Sequence, residues 1–231
     1  LVQAPVLATA GTQGPVINGG DVKNTGVEIG LSWNDNIGKD FSYSVGGNFA
    51  YNHNKVGSIP TEDGIIHGAS NQIYSNAEEF YRAENGHAIG YFWGYKTAGI
   101  FQNQQEINDW IAAGNGVLQS NVQPGDTKYV DINRDGQINA ADKVDLGNGL
   151  PKYTFGFNVS LSWKGFDLSA NATGAAGFQI AQSYRDPNSS QGNYSRQILD
   201  RWTGEGTSNR IPRVTYGDVG NWQFSDLYLQ D

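Results

Sequence analysis

Cysteine is absent from the 231 residues, which removes disulfide frameworks, thiolate metal sites and cysteine nucleophiles together. Positive charge is scarce: 15 Lys and Arg stand against 23 Asp and Glu, for a net charge of -8. Nucleic acid is therefore not an expected partner, and the acidic surface suits an exported protein or one that holds cations. No window approaches about 18 consecutive apolar residues, so no transmembrane helix is predicted. That lack does not exclude a membrane β-barrel, whose strands need only about 9–11 alternating residues each. The residues from Leu1 onward show neither a basic nor an apolar leader region, and a mature or truncated N-terminus is the simplest expectation.

What is abundant is glycine, at 31 residues, and aromatic side chains, at 12%. With much Asn and Ser and little Lys, this composition predicts β-structure with long loops. The clearest pattern lies at 152–163. Tyr153, Phe155, Phe157, Val159, Leu161 and Trp163 share one face, and Lys152, Thr154, Gly156, Asn158, Ser160 and Ser162 the other. That is period-2 alternation over a membrane's thickness. Lys164 and Gly165 then form a tight turn, and the chain returns with Phe166, Leu168, Ala170 and Ala172 on one face. Earlier, Val27, Ile29, Leu31 and Trp33 alternate with polar residues. A link at 35–40 follows, and then Phe41, Tyr43, Val45, Phe49 and Tyr51 alternate in turn.

A soluble antiparallel sandwich would also alternate. Strand length, polar faces of small residues with few charges, and aromatic ends favour the barrel. Trp33 and Phe41 flank one expected turn, Trp163 and Phe166 the other, while Tyr51 and Tyr153 mark the opposite ends, as aromatic girdles would. Short turns of such barrels are periplasmic and long loops extracellular. Residues 53–151 should then begin and end outside, with either no spanning strand or an even number. The β-like stretch 90–101 is read as part of that outer region, 104–113 as a helix and 193–203 as another. Residues 175–221 form a second outer loop.

Residues 131–142 read DINRDGQINAAD. A calcium loop of the EF-hand kind needs oxygen side chains at positions 1, 3 and 5, Gly at 6, a carbonyl at 7 and a carboxylate at 12. Asp131, Asn133, Asp135, Gly136, Gln137 and Asp142 occupy those places, and Asn139 sits at position 9, which often ligates through water. Oxygen suits Ca2+ because it is a hard cation that takes 6–8 such ligands. Asp142 departs from the usual Glu, and the loop resembles the calcium repeats of dockerins in this respect. Pro124, Gly125 and an extended 127–130 argue against a preceding helix, so a structural ion is expected rather than a sensor. The alternative is a metal-free Asp/Asn/Gly turn.

Four segments together resemble the SusC/RagA family of TonB-linked outer-membrane importers of Bacteroidetes. They are GDVKNTGVEIGLSWNDNIGKDFSYSVGGNFAYNHNKV, GHAIGYFWGYKTAGIFQNQQEI, GDTKYVDINRDGQINAADKVDLGNGLPKYTFGFNVSLSWKGFDLSA and YSRQILDRWTGEG with IPRV. The resemblance implies an all-β, antiparallel transmembrane barrel of about 22 strands with an N-terminal plug. It also implies a SusD-like surface lipoprotein as partner, TonB acting through an N-terminal part not contained here, and import of oligosaccharides or peptides across outer-membrane lipid. Residues 1–231 would be a C-terminal fragment of one barrel domain, with four spanning strands and the start of a fifth at 222–229. Such a sheet has two open edges and cannot close alone.

Two other function classes compete. A secreted, calcium-stabilised β-rich module could bind glycan, with Tyr91, Trp93, Tyr95 and Trp110 as possible ligand contacts alongside Phe92. Packing of the loops is the better reading of those rings. An enzyme is not expected: His53, His67 and His87 lack zinc spacing, and Glu78, Glu79 and Glu84 have no recognisable nucleophile or base partner.

Overall fold

A computed structural model describes residues 2–3, 11, 16–17, 19–183 and 194–230. Two short strands, β1 (Val2–Gln3) and β2 (Val16–Ile17), pair with each other. The dominant element is a four-stranded antiparallel sheet of β3 (Asp21–Ile37), β4 (Phe41–Ser58), β11 (Tyr153–Trp163) and β12 (Phe166–Ala176), in the order β12-β11-β4-β3. The sheet does not close; β3 and β12 are its edges.

Register carries the pattern of single strands across the whole sheet. Ile29, Phe49, Phe155 and Gly174 form one row, and Leu31, Gly47, Phe157 and Ala172 another. On the opposite face Ser32, Gly46, Asn158 and Asn171 align, as do Asn34, Ser44, Ser160 and Ser169. One face is apolar but for Asp35 beside the turns, and the other is polar with few charges, Glu28 and Asp167 among them. Glycines let these rows pack: a Cβ at Gly174 would collide with the Phe155 ring, and one at Gly156 with the Asn48 side chain.

The two hairpins turn differently. Lys164 (φ 48°) and Gly165 (φ 87°) both adopt positive φ, the two-residue geometry that matches strand twist. Between β3 and β4 the loop is only residues 38–40, with Gly38 at φ 69°. The expected link at 35–40 is thus shorter, because β3 keeps its pairing through Ile37, opposite Phe41. This moves Trp33 away from the turn. It lies level with Val45, Val159 and Ala170, whereas Ile37, Phe41, Trp163 and Phe166 form the row at the turns. Tyr51 and Tyr153 do face each other at the far end, with ring centroids 5.4 Å apart. Beyond them β3 and β4 continue as a polar hairpin in which Asn54 Nδ2 donates to Asn24 Oδ1 at 2.7 Å.

Residues between β4 and β11 contribute no strand to this sheet, since β4 pairs directly with β11. They fold into a second sheet of β5 (Ile65–His67), β6 (Tyr81–Glu84), β7 (Tyr91–Tyr95) and β10 (Lys143–Asn148), in the order β10-β7-β6-β5. β8 (Thr97–Ile100) pairs with β9 (Thr127–Tyr129), and α1 (Gln104–Ala112) follows β8. The α1 start is capped by Asn103, whose Oδ1 accepts the Glu106 N–H at 2.9 Å. The stretch 90–101 therefore holds β7 and β8 in two different small sheets.

Past β12, β13 (Ile180–Ala181) pairs with β14 (Leu229–Gln230). The fifth strand expected at 222–229 is not formed over that span. Residues 226–228 make a 3-10 turn, and Trp222, Phe224, Leu227 and Tyr228 are buried in a core with Phe92. Strand propensity there loses to burial of large apolar groups. The helix expected at 193–203 is a 3-10 turn over Arg196–Asp200, and Asn193 lies outside the described residues.

Substituting Gly165→Val should cost the β11–β12 hairpin about 1–2 kcal/mol, because a β-branched residue is forced to positive φ. A lowered denaturant midpoint of the complete folded protein would register it, and an unchanged midpoint would contradict the turn assignment.

Candidate functional site

The body formed by residues 59–151 and 194–230 carries the site residues, and its stability starts from two small cores. One gathers Phe92, Trp222, Phe224, Leu227, Tyr228 and Leu229, and the other Tyr95, Tyr129 and Ile138 with Leu118 packed against them. Each core mixes residues from far apart in sequence. Backbone pairing supports them: Tyr95 N–H donates to the Phe224 carbonyl at 3.0 Å, and Asp226 Oδ1 accepts the Thr97 hydroxyl at 2.6 Å.

A polar clamp centred on a fully buried carboxylate locks the two segments together. Asp126 is 0% exposed and accepts Arg213 Nε at 2.7 Å and Asn221 Nδ2 at 2.8 Å. Asn221 Oδ1 accepts the Thr127 N–H at 3.1 Å and Gln119 Nε2 at 3.0 Å. Burial of a carboxylate is costly unless it is paired and hydrogen-bonded; here both conditions are met. Gly125, at φ 92°, leaves room for Trp202 and Arg213 side chains that a Cβ would meet at 2.5–2.9 Å. Sequence reading singled out Asp131 and Asp135 and passed over Asp126, because its partners lie some 90 residues away. The signal it did carry was an Asp following a Pro-Gly turn.

Residues 131–142 form a compact turn adjoining α1. Asp131 Oδ1 accepts the Arg134 N–H at 2.6 Å and Oδ2 the Gly136 N–H at 2.8 Å. Asp142 accepts the Ile132 and Asn139 N–H groups, each at 2.9 Å. Asn139 caps the 3-10 turn Ala140–Asp142 by accepting the Ala141 N–H at 2.9 Å. Gly136 takes φ 80° and Arg134 φ 59°. Asp131 and Asp142 are buried, while Asn133, Asp135, Gln137 and Asn139 are exposed. Asn133 Nδ2 donates to Asp135 Oδ2 at 2.9 Å. Among the described residues no three His, Asp or Glu side chains converge on one point. The loop therefore brings Asp131 and Asp142 together from its two ends and holds Asp135 at its rim.

The aromatic candidates separate by burial. Tyr91 is fully buried, its hydroxyl donating to Glu84, and Tyr95 is buried against Tyr129 with ring centroids 5.4 Å apart. Trp93 is half-buried beneath the Arg82 guanidinium, 4.1 Å from the ring centre. Half-buried Trp110 stacks edge-on to Phe101, and its Nε1–H donates to the Gly116 carbonyl at 3.1 Å. Nearby, His67 lies between Glu79 at 2.9 Å and Asp63 at 3.3 Å, and Arg82 also pairs with Glu79. The Glu79 hydrogen bond raises the imidazole above its ordinary value. Burial pushes Glu79 up, but His67 and Arg82 outweigh it and hold the carboxyl low. His87 pairs separately with Asp145 at 2.9 Å.

Comparison with known proteins follows the same outline. No family model matches the chain. It is 26% identical over 215 residues to TonB-dependent receptor P3 of Formosa agariphila, covering 92% of the chain and 21% of that protein. It is 27% identical over 237 residues to TonB-dependent receptor P26 of the same organism, covering 100% of the chain and 23% of that protein. TonB-dependent receptor SusC of Bacteroides thetaiotaomicron is 23% identical over 152 residues, which cover 66% of the chain and 14% of SusC. Among solved structures, the RagAB peptide transporter superposes with a TM-score of 0.67 at 21% identity, over 100% of the chain and 24% of its counterpart. The closed-closed state of the RagAB peptide importer gives 0.66 at 21% identity, over 99% and 23%. The chain thus spans less than a quarter of the length of these relatives.

Asn221→Ala should loosen the outer body by about 2–4 kcal/mol, since it strips a buried carboxylate and a buried amide N–H of partners. Limited proteolysis of the complete protein should then cut within 203–220 faster than in the parent; equal rates would dismiss the clamp.

Proposed function

We propose, from the premise that the chain is a SusC/RagA-like segment of a TonB-dependent receptor, that it forms part of the wall and outer loops of an outer-membrane nutrient importer. The observation that carries this reading is the two-faced sheet. Phe155 and Phe157 are 49% and 52% exposed, Leu31 75% and Leu168 62%, all on one face. A soluble sheet buries such a face, which disfavours the secreted glycan-binding module. From the first to the last of its 11 residues, β11 makes about ten rises of about 3.4 Å; tilted about 40°, these cover roughly 26 Å, close to the height of a barrel's apolar band. Lipid is the solvent that fits that face, and water in a lumen fits the other.

In this reading the hairpin turns at 38–40 and 164–165 face the periplasm, and the body built from 59–151 and 194–230 faces outward. Its partners are a SusD-like surface lipoprotein and TonB, and its cargo is an oligosaccharide or a peptide. Transport, not catalysis, is its work. Two arms test this. Phe157→Arg should cost about 2–4 kcal/mol near the midplane and deplete the receptor from outer-membrane fractions, whereas Asn158→Arg on the lumen face should be tolerated. Uptake should also cease when TonB is deleted; uptake that survives deletion would refute the importer.

The loop 131–142 is further proposed to take one structural Ca2+ through Asp131, Asn133, Asp135, the Gln137 carbonyl and Asp142, with Asn139 through water. Support comes from charge and chemistry. Asp131 and Asp142 are buried carboxylates with no cationic side chain bonded to either, and every donor in the set is a hard oxygen. Asp131 Oδ1, Asp131 Oδ2 and Asp142 Oδ2 each accept one backbone N–H and keep a further lone pair. A bound ion would brace the turn against the Gly114 and Gly116 backbone that follows α1. Calcium titration of the complete receptor should show one site lost in both Asp131→Ala and Asp135→Ala; unchanged stoichiometry in both would reject these ligands.

A further inference from the structure

A cleft of about 890 Å³ opens where residues 118–123, 138–139 and 213–223 meet. Its floor is the second apolar core, with buried Tyr95 and Ile138 and half-buried Leu118 in its lining. What distinguishes it is the state of its polar groups. The side-chain amides of Asn121, Gln123 and Gln223 line it, and none has a hydrogen-bond partner among the described residues. The Ser120 hydroxyl is likewise free.

Two of the three charged side chains around the cleft are ion-paired. Arg213 is bound to Asp126, Glu78 to Lys143, and Asp218 accepts the Gly220 N–H at 2.7 Å. What remains for a ligand is therefore mostly neutral, amides that both donate and accept and hydroxyls, with the exposed Asp218 carboxylate as the one charge without an ion-pair partner among the described lining residues. At the rim Tyr216 is 99% exposed, a flat apolar ring with a polar tip standing beside those amides.

We infer that this cleft binds a neutral oligosaccharide, with Tyr216 as a stacking platform and Asn121, Gln123 and Gln223 reading hydroxyl groups. An amide offers one acceptor and two donors, which matches adjacent sugar hydroxyls, each both donor and acceptor. The sparse apolar faces of a sugar ring suit one exposed aromatic. A peptide fits less well. The rim 213–223 consists of turns and bends rather than a strand edge that could add a main-chain ladder, and among the described residues no free cationic side chain lines the cleft to take a C-terminal carboxylate. The inference rests on the importer reading and narrows its cargo.

The test uses the complete receptor purified in detergent. Binding of maltohexaose, laminarihexaose, cellohexaose and mannohexaose is measured by calorimetry, with hexaalanine as the peptide probe. At least one hexasaccharide should bind, and Tyr216→Ala should raise its Kd about three- to tenfold. Gln223→Ala should raise it as well, while Tyr194→Ala, outside the cleft, should not. No hexasaccharide binding, an unchanged Kd in both cleft variants, or binding of hexaalanine alone would each overturn the inference. The importer reading is judged separately by TonB-dependent uptake, so saccharide binding without such uptake would sink that reading and leave this site standing.

Discussion

The antiparallel pairing of β4 with β11 constrains everything else in the structure. Tyr51 faces Tyr153 and Phe41 faces Trp163, so the chain between them must leave and re-enter at one end of the sheet. Closing so long a loop costs entropy, though the cost grows only slowly with length. The ladder of β4 and β11 offsets it with a full set of main-chain hydrogen bonds and an unbroken side-chain register. A slip of one residue would turn Phe155 and Phe157 to the polar side. Register and loop position are therefore one constraint seen at two scales.

Sheet and outer body are held by different forces. Every residue of β3 is exposed, as are nearly all of β12, so the sheet has no internal core. The buried apolar residues lie in the outer body, with Val56 and Ile59 at its junction with the sheet. There, burial of Tyr91, Phe101, Tyr129 and Tyr228 supplies a hydrophobic contribution of about 1.5–3 kcal/mol for each large side chain. The sheet must find that contribution in whatever covers its apolar face, which is why membrane insertion and a folded outer body can be perturbed separately.

These differences explain what was legible in the sequence. Alternation over β3, β4, β11 and β12 is local, so both faces could be read from single strands, and Lys164-Gly165 announced its own turn. The Asn103 cap and the oxygen spacing of 131–142 are local too. The outer body was not legible, because its strands run only 2–6 residues and alternate poorly. Residues 222–229 carry the apolar content of a strand, yet they serve as a core plug under Phe92 and Phe80. Nothing within that segment distinguishes the two; the difference lies in partners distant in sequence. Asp126 was missed for the same reason.

The loop 131–142 shows where local and distant information join. Its spacing is a local property, but its seat is not. Ile138 belongs to the core with Tyr95 and Tyr129, and the backbone of Gln137 crowds Gly116, where a Cβ would meet it at 2.7 Å. Tyr129 in turn donates its hydroxyl to the Gly220 carbonyl at 3.0 Å and accepts the Gln223 N–H at 3.2 Å. The turn thus anchors on one side to the segment that follows α1, at Gly114 and Gly116, and on the other, through one tyrosine, to the segment that bears Tyr216. An ion bound there would stiffen a frame shared by the clamp and the cleft wall, so its effect would reach beyond its own ligands without any conformational switch.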